Sequence, residues 1–403
     1  MSRPLEGLRV LDFTHVLAGP FATRVLGDMG ADVVKINSAD RAVGANDPAH
    51  PYYVMWNRNK RALALDLSKE ESREICRELC LQADVVIDNF SVGVLDRWGV
   101  GFDAISEINT KVIYVQMSGM GDGGPWSEFV TYAPTIHALS GLTHLTGVPG
   151  REDIGIGFSY NDHQAGLHGA VAILAAVEAR RTTGKGQRVD LSQFEVGANF
   201  AGPTLLDYFA NGIPARPMAN HLPYDVAVPH GCYPCAGATS PAVEDERWVA
   251  IACMIETQWD ALKGVMGNPD WANATEFSSA KSRVKSVEKL DQQLAQWTQS
   301  LTAEDIMNRC QKAGVPAGVV QNAIDLAEHD PQLKDSGFLQ QMDPLPGFGM
   351  TYADRLPIHF QKTPCEVYER VRQVGEDNRE VLKDWLGMQD AEIDKAEAGG
   401  LLS

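Results

Sequence analysis

Four short apolar runs, residues 8–13, 31–36, 83–88 and 111–116, punctuate the first 120 positions of the chain. Each is short and nearly continuous in its hydrophobicity, the pattern of a strand buried on both faces. Between them, apolar residues recur at helical spacing. Ala22, Val25 and Leu26 follow Pro20, which is well placed to start a helix. Ile75, Cys76, Leu79 and Cys80 follow Ser68-Lys69-Glu70-Glu71, which has the form of a capping box. Strands separated by helices predict a parallel sheet with helices on both sides.

The most informative stretch runs from 153 to 195. Polar Ser159-Tyr160-Asn161-Asp162-His163 opens an apolar helix in which Gly166, Gly169, Ala170, Ile173, Leu174 and Val177 recur at helical spacing. The helix ends near Gly184, and a strand-like 188–192 follows. Asp162 therefore sits where a loop meets a helix N-terminus, and backbone N–H groups with the helix dipole stabilise negative charge there. That position suits a simple helix cap, a role open to Asn161 as well, or a nucleophilic carboxylate.

Beyond residue 209 the character changes. Residues 211–247 are rich in Pro, Gly and His and read as a linker entering a second unit. A strand at 248–253, helices near 255–266 and 286–299, and a helix begun by Thr302 and ending near Gly314 follow, and the tail from 365 is again helical and polar. The expected organisation is a large α/β domain from 1–210 and 330–403, a linker at 211–224, and a smaller α+β domain at 225–329. A length of 403 residues supports two domains rather than one core.

A formal charge of −18 argues against a nucleic-acid partner, though a few local donors suffice for a phosphate-bearing ligand. No apolar run reaches about 18 residues, so no membrane span is expected, and the N-terminus lacks a signal-peptide core. The expected location is cytoplasmic. Seven scattered cysteines make no disulfide framework. Cys232 and Cys235 form one C-x-x-C with no second pair to complete a zinc site, so no metal is expected; Cys76 and Cys80 read as core. Neither G-x-G-x-x-G nor a phosphate loop is present. The Gly-rich 119–125 segment follows the fourth strand, at the sheet edge where open α/β folds bind ligands.

Several segments together, in order and at matching spacing, resemble class III CoA-transferases, the family of formyl-CoA and carnitine CoA-transferases. They are Pro4-Leu5-Glu6-Gly7-Leu8-Arg9-Val10-Leu11-Asp12, Ala18-Gly19-Pro20, Gly30-Ala31-Asp32-Val33-Val34-Lys35-Ile36, Asn57-Arg58-Asn59-Lys60-Arg61, Ala83-Asp84-Val85-Val86-Ile87-Asp88-Asn89-Phe90, Gly184-Lys185-Gly186-Gln187 and Gly314-Val315-Pro316-Ala317-Gly318. The resemblance implies a Rossmann-like large domain, an interlocked homodimer, and CoA exchange between an acyl-CoA donor and a carboxylic acid acceptor. It places the nucleophile at Asp162, which would carry an aspartyl-CoA thioester, and it implies no tightly bound cofactor. The positions matching the family's CoA site are His15, Val16, Leu17, Ala18, Leu65, Asn89, Phe90, Ser91 and Arg97, with Arg97 a phosphate contact, and Tyr132 matches a residue near the reacting thioester.

Two departures stand out. Asn37-Ser38 occupies a position where many members have Glu followed by Arg, and the family's shielding glycine-rich loop has only His230-Gly231-Cys232 as a counterpart. The alternatives are an acyl-CoA racemase of the same fold and a non-catalytic CoA-binding protein. The racemase base, a His, would fall at position 132, where Tyr is a poor base at neutral pH. Tyr132, His137 and His230 are candidates to line the acid pocket.

Overall fold

The computed structural model describes residues 3–222, 227–237, 246–345 and 349–403. The chain forms two compact units: residues 1–145, 153–215 and 337–403 in the first, 146–152 and 216–336 in the second. The start of the expected small domain and the end of the expected linker, residues 223–226, lie outside the described residues. The 146–152 stretch joins the second unit, where the Gly147 carbonyl accepts from the Ala219 N–H.

In the first unit six parallel strands make one sheet: β1 (Arg9–Asp12), β2 (Asp32–Asn37), β3 (Arg61–Ala64), β4 (Val85–Asp88), β5 (Ile113–Gln116) and β6 (Gln187–Asp190), in the order β3-β2-β1-β4-β5-β6. Strand β3 is not among those the hydrophobic pattern marks, because Arg61-Ala62-Leu63-Ala64 offers one large apolar residue. Alternate residues of each strand serve opposite faces. Val10, Val33, Val85 and Ile113 enter one core; Leu11, Val34, Val86 and Tyr114 enter the other. Two covered faces explain why these strands read as continuous apolar runs.

The first face packs on α1 (Ala18–Asp28), the second on α2 (Glu70–Gln82). Helix α2 starts after Lys69 with no side-chain cap; Ser68 instead bonds Asp66, at 2.6 Å from its hydroxyl, so the capping box expected from the sequence is not formed. Three helices follow whose starts matter below: α3 (Ala133–Leu139), α4 (Tyr160–Thr183) and α5 (Gln193–Phe200). Helices α1 and α4 run parallel at very short range. A Cβ on Gly166 would lie 2.8 Å from the Ala18 carbonyl, so only glycine admits this approach, and one on Gly169 would lie 2.8 Å from Sδ of Met117, the residue after β5.

The second unit holds an antiparallel sheet of β7 (His230–Cys235), β8 (Arg247–Ala252) and β9 (Ala317–Val319). Helices α6 (Glu256–Val265), α7 (Val287–Thr298) and α8 (Ala303–Lys312) cover it around Trp259, Leu262, Leu290, Leu294 and Ile306. Thr302 caps α8 by accepting from the Asp305 N–H.

The chain then returns to the first unit through the hairpin β10 (Leu339–Leu345) and β11 (Gly349–Asp354) and helices α9 (Asn378–Leu386) and α10 (Asp390–Ala398). The tail is helical only from 378; residues 365–373 carry no helix. Asp377 and Asn378 side chains accept from the Ala62 and Ala64 N–H groups, each at 2.8 Å, which covers the open edge of β3.

Candidate active site

The strand order reverses between β1 and β4, and in open parallel sheets the crevice beyond such a switch point is where ligands bind. The β1–α1 turn fills one side of it. Val16 there has φ +65°, an unfavourable conformation for a β-branched residue, and its N–H donates to Asn46 Oδ1 at 3.0 Å. His15 is tied to Asn89, the residue after β4, by two hydrogen bonds of 2.7 and 2.8 Å.

A buried ionic cluster underlies this turn. Asp12 is fully buried and accepts from Thr14 Oγ1 and Thr23 Oγ1, both at 2.6 Å, and from Lys60 Nζ at 3.0 Å. Lys35 Nζ lies 3.5 Å from Asp12 and also donates to the Thr14 carbonyl, and Lys60 reaches the Pro20 carbonyl at 3.0 Å. Burial alone would raise the Asp12 pKa, but the two ammonium groups and the hydroxyls hold it well below the usual range. Burial pushes Lys60 down to about 7, with Asp12 opposing the shift. The His15 imidazole, pushed down to about 3 by burial first and then by Lys35 and Arg41, is neutral at physiological pH.

Two cavities meet at the turn. The first, about 430 Å³, has Ile36, Ser38, Arg41, Leu65, Arg73 and Trp98 in its wall. The second, about 240 Å³, has Leu17, Ser91, Ser118, Tyr132, Asp162 and Gln193 in its wall. His15 and Phe90 belong to both walls, their rings 5.0 Å apart, so the two spaces adjoin. Arg41 lies over the Trp98 ring at 5.0 Å.

Asp162 stands in the first turn of α4. Burial raises its pKa to about 6, with its own backbone N–H drawing the value back in part. Next to it, His163 is packed by Phe158 (4.7 Å between ring centres), Trp56 (4.9 Å) and Phe21 (5.2 Å), with Nδ1 2.7 Å from the Ser159 carbonyl. That contact assigns the proton to Nδ1.

The structure thus gathers His15, Val16, Leu17, Asn89, Phe90, Ser91, Tyr132 and Asp162 around one cavity, with Ala18 buried directly behind and Leu65 in the adjoining wall. Arg97 is exposed beside Gly93 and borders neither cavity; Arg41 and Arg73 take the place beside Leu65. His137 is buried at 4% exposure and is absent from the wall, which removes it from the candidates for the acid pocket. His230 lies in the second unit with Nδ1 2.5 Å from the Asn220 carbonyl. Sequence reasoning missed Arg41, Arg73, Gln193 and Asn46. Only folding brings them to the crevice, and none stands in a recognisable spacing. Among the described residues no group of three His, Cys, Asp or Glu side chains could hold a metal ion, and no helix is long and apolar enough to cross a membrane.

The sequence model of CoA-transferase family III matches residues 5–378. The chain belongs to this family. Among curated relatives, the beta subunit of succinyl-CoA–L-malate CoA-transferase from Chloroflexus aurantiacus is 29% identical, over 97% of this chain and 96% of the relative. Formyl-CoA:oxalate CoA-transferase from Streptomyces coelicolor is 28% identical over the full length of both. The crystal structure of a CAIB/BAIF family protein from Brucella suis superposes with a TM-score of 0.83 at 29% identity, covering 96% of this chain and all of that one. As a family III member, the chain is a CoA-transferase, and its substrates are CoA thioesters and carboxylic acids.

Proposed function

We propose that this CoA-transferase works by covalent catalysis on Asp162, with the CoA nucleotide in the larger cavity and the thioester in the smaller. The observation that carries this reading is the adjacency of the two spaces across His15 and Phe90, with Asp162 in the wall of one and Arg41 and Arg73 in the wall of the other. A long ligand with phosphates at one end and a reactive thioester at the other matches that layout. Guanidinium groups suit the phosphates, and Leu65 and Ile36 offer apolar surface to the adenine.

The ionised Asp162 carboxylate attacks the donor thioester carbonyl; the C–S bond breaks, leaving a mixed anhydride and CoA thiolate. The thiolate attacks the aspartyl carbonyl and expels the donor acid as its carboxylate, leaving aspartyl-CoA. The acceptor carboxylate then attacks that thioester, and the thiolate returns to the new acyl carbonyl, freeing Asp162. Every nucleophile and leaving group is an anion, so no proton has to move. Each oxyanion forms near the starts of α1 and α4. No side chain caps α1, whose first N–H groups carry the positive end of its dipole, and α4 contributes its dipole while its own first N–H groups are already paired. A volume of about 240 Å³ suits a small acyl group.

The protein is proposed to act in the cytoplasm as an interlocked homodimer. Seven unpaired cysteines suit a reducing compartment. Exposed Phe158, Val171, Leu206 and Phe209 on the first unit give a partner subunit apolar surface to cover. The test of the reaction is peptide mass spectrometry after incubation with a panel of acyl-CoAs, quenched with hydroxylamine or borohydride. Modification at Asp162 is the expected result. An unmodified Asp162 across the panel, with CoA binding intact, overturns the covalent mechanism, and solvent deuterium entering Cα of an acyl-CoA without any acceptor identifies a racemase instead.

A further inference from the structure

Helices α3, α4 and α5 all begin at the smaller cavity and bring polar groups to its wall: Tyr132, Asp162 and Gln193. The first N–H groups of a helix have no partner within it. At the start of α4 the N-cap residue, Ser159, supplies no side-chain bond. The partner comes from another helix: His137 Nε2, on α3, accepts from the Asn161 N–H at 3.1 Å. An accepting Nε2 requires a neutral ring with its proton on Nδ1.

Asn161 is itself completely buried, and its Nδ2 donates to the Gln193 carbonyl at 2.9 Å. Gln193 in turn holds the loop after β5, through its N–H to Ser118 and its Nε2 to the Met117 carbonyl at 3.0 Å. One buried residue thus ties the last turn of α3 to the starts of α4 and α5, and it is the residue immediately before Asp162. Space around the knot is closed. A Cβ on Gly197 would lie 2.7 Å from Ser140 Oγ and 2.8 Å from Asn161 Oδ1.

We propose that His137 and Asn161 are positioning residues. His137 accepts the Asn161 N–H so that Asn161 can lock Gln193, and the pair fixes the Asp162 carboxylate relative to Tyr132 and Gln193. This rests on the reading of Asp162 as the nucleophile. Neither residue touches the reacting atoms. Their role is geometric, and misplacing a reacting group by about 1 Å can cost roughly 10²-fold in rate.

The test compares His137→Gln, which keeps an acceptor near the Nε2 position, with His137→Met, which fills similar volume without a comparable acceptor. Exchange kinetics and the Asp162 adduct are measured side by side with the wild type. The Met variant is expected to lose about 30-fold in kcat with its KM for the donor changed less than about threefold, while Gln stays within about threefold of wild type. Equal losses in both variants, or unchanged kcat in the Met variant, overturn the proposal. If the wild type charges no Asp162 adduct, the nucleophile reading fails independently of these variants. Should the Met variant not fold, hydrogen exchange on the wild type replaces it. The Asn161 amide is expected to exchange at least about 100-fold slower than an open amide, and exchange at the open rate overturns the clamp.

Discussion

The carboxamide of Asn89 holds both backbone groups of His15: Nδ2 donates to the His15 carbonyl at 2.8 Å, and Oδ1 accepts from the His15 N–H at 2.7 Å. The side chain extends the sheet by one rung across the switch point between β1 and β4, beyond the end of either strand. It thereby sets the turn that both cavities share. Asn89→Ala removes two hydrogen bonds, each worth about 0.5–1.5 kcal/mol. The expected outcome is a KM for acyl-CoA raised about tenfold, with a lowered Tm, measured by initial rates and thermal denaturation.

The pH profile reports on Asp162. With a pKa of about 6 its carboxylate is mostly ionised at pH 7 and mostly protonated at pH 5. kcat/KM is expected to fall about tenfold over that interval, where an ordinary carboxyl would leave it flat. The stability consequence has the opposite sign from a salt-bridged Asp. Because the folded pKa is raised, ionisation of Asp162 opposes folding above about pH 6, and the cost disappears as pH falls. Asp162→Asn is therefore expected to melt higher than wild type at pH 8, with the gap closing toward pH 4, while exchange falls by about 10⁴ or more.

In the buried cluster beneath the turn, the order of damage follows from charge balance. Lys60→Met leaves Asp12 paired with Lys35, whereas Asp12→Asn leaves two buried ammonium groups with no counter-ion. Removing one partner of a buried pair costs about 3–5 kcal/mol. Asp12→Asn is expected to be the more destabilising, and urea unfolding of both variants gives the comparison.

Arg41 and Arg73 border the larger cavity and Arg97 does not. Arg41→Gln and Arg73→Gln are each expected to raise KM for acyl-CoA about tenfold, as befits a lost charge-assisted contact. Arg97→Gln is expected to change it less than about twofold. A truncated pantetheine thioester, lacking the nucleotide, should be insensitive to all three, which steady-state kinetics on both substrates measures.

Gly166→Ala probes the contact between α1 and α4. The added Cβ would sit 2.8 Å from the Ala18 carbonyl and 2.9 Å from Phe21, one turn after Asp162. Separating the helices is expected to cost about 1–3 kcal/mol of stability and about tenfold or more in kcat, read from chemical denaturation and exchange kinetics.

The sequence by itself determined the strand–helix alternation of the first unit, because strands buried on both faces carry apolar residues at successive positions, as Val33-Val34 and Val85-Val86-Ile87 do. It also determined the helix from Tyr160 to Thr183, and with it the position of Asp162 at a helix start, since that pattern is local. Strand β3 escaped because Arg61-Ala62-Leu63-Ala64 holds one large apolar residue, and what completes its edge, Asp377 and Asn378, lies more than 300 residues away. Ser68 reads as a cap from its neighbours, yet Asp66 competes for it. The rest of the site belongs to the tertiary structure. Arg41 and Arg73 rather than Arg97 face the cavity, Lys35 and Lys60 converge on one Asp, and His137 caps a helix 24 residues away instead of lining a pocket. Each depends on which side chains meet across the sheet's switch point, and a one-dimensional pattern fixes the direction of a residue within its own element but not its neighbour in another.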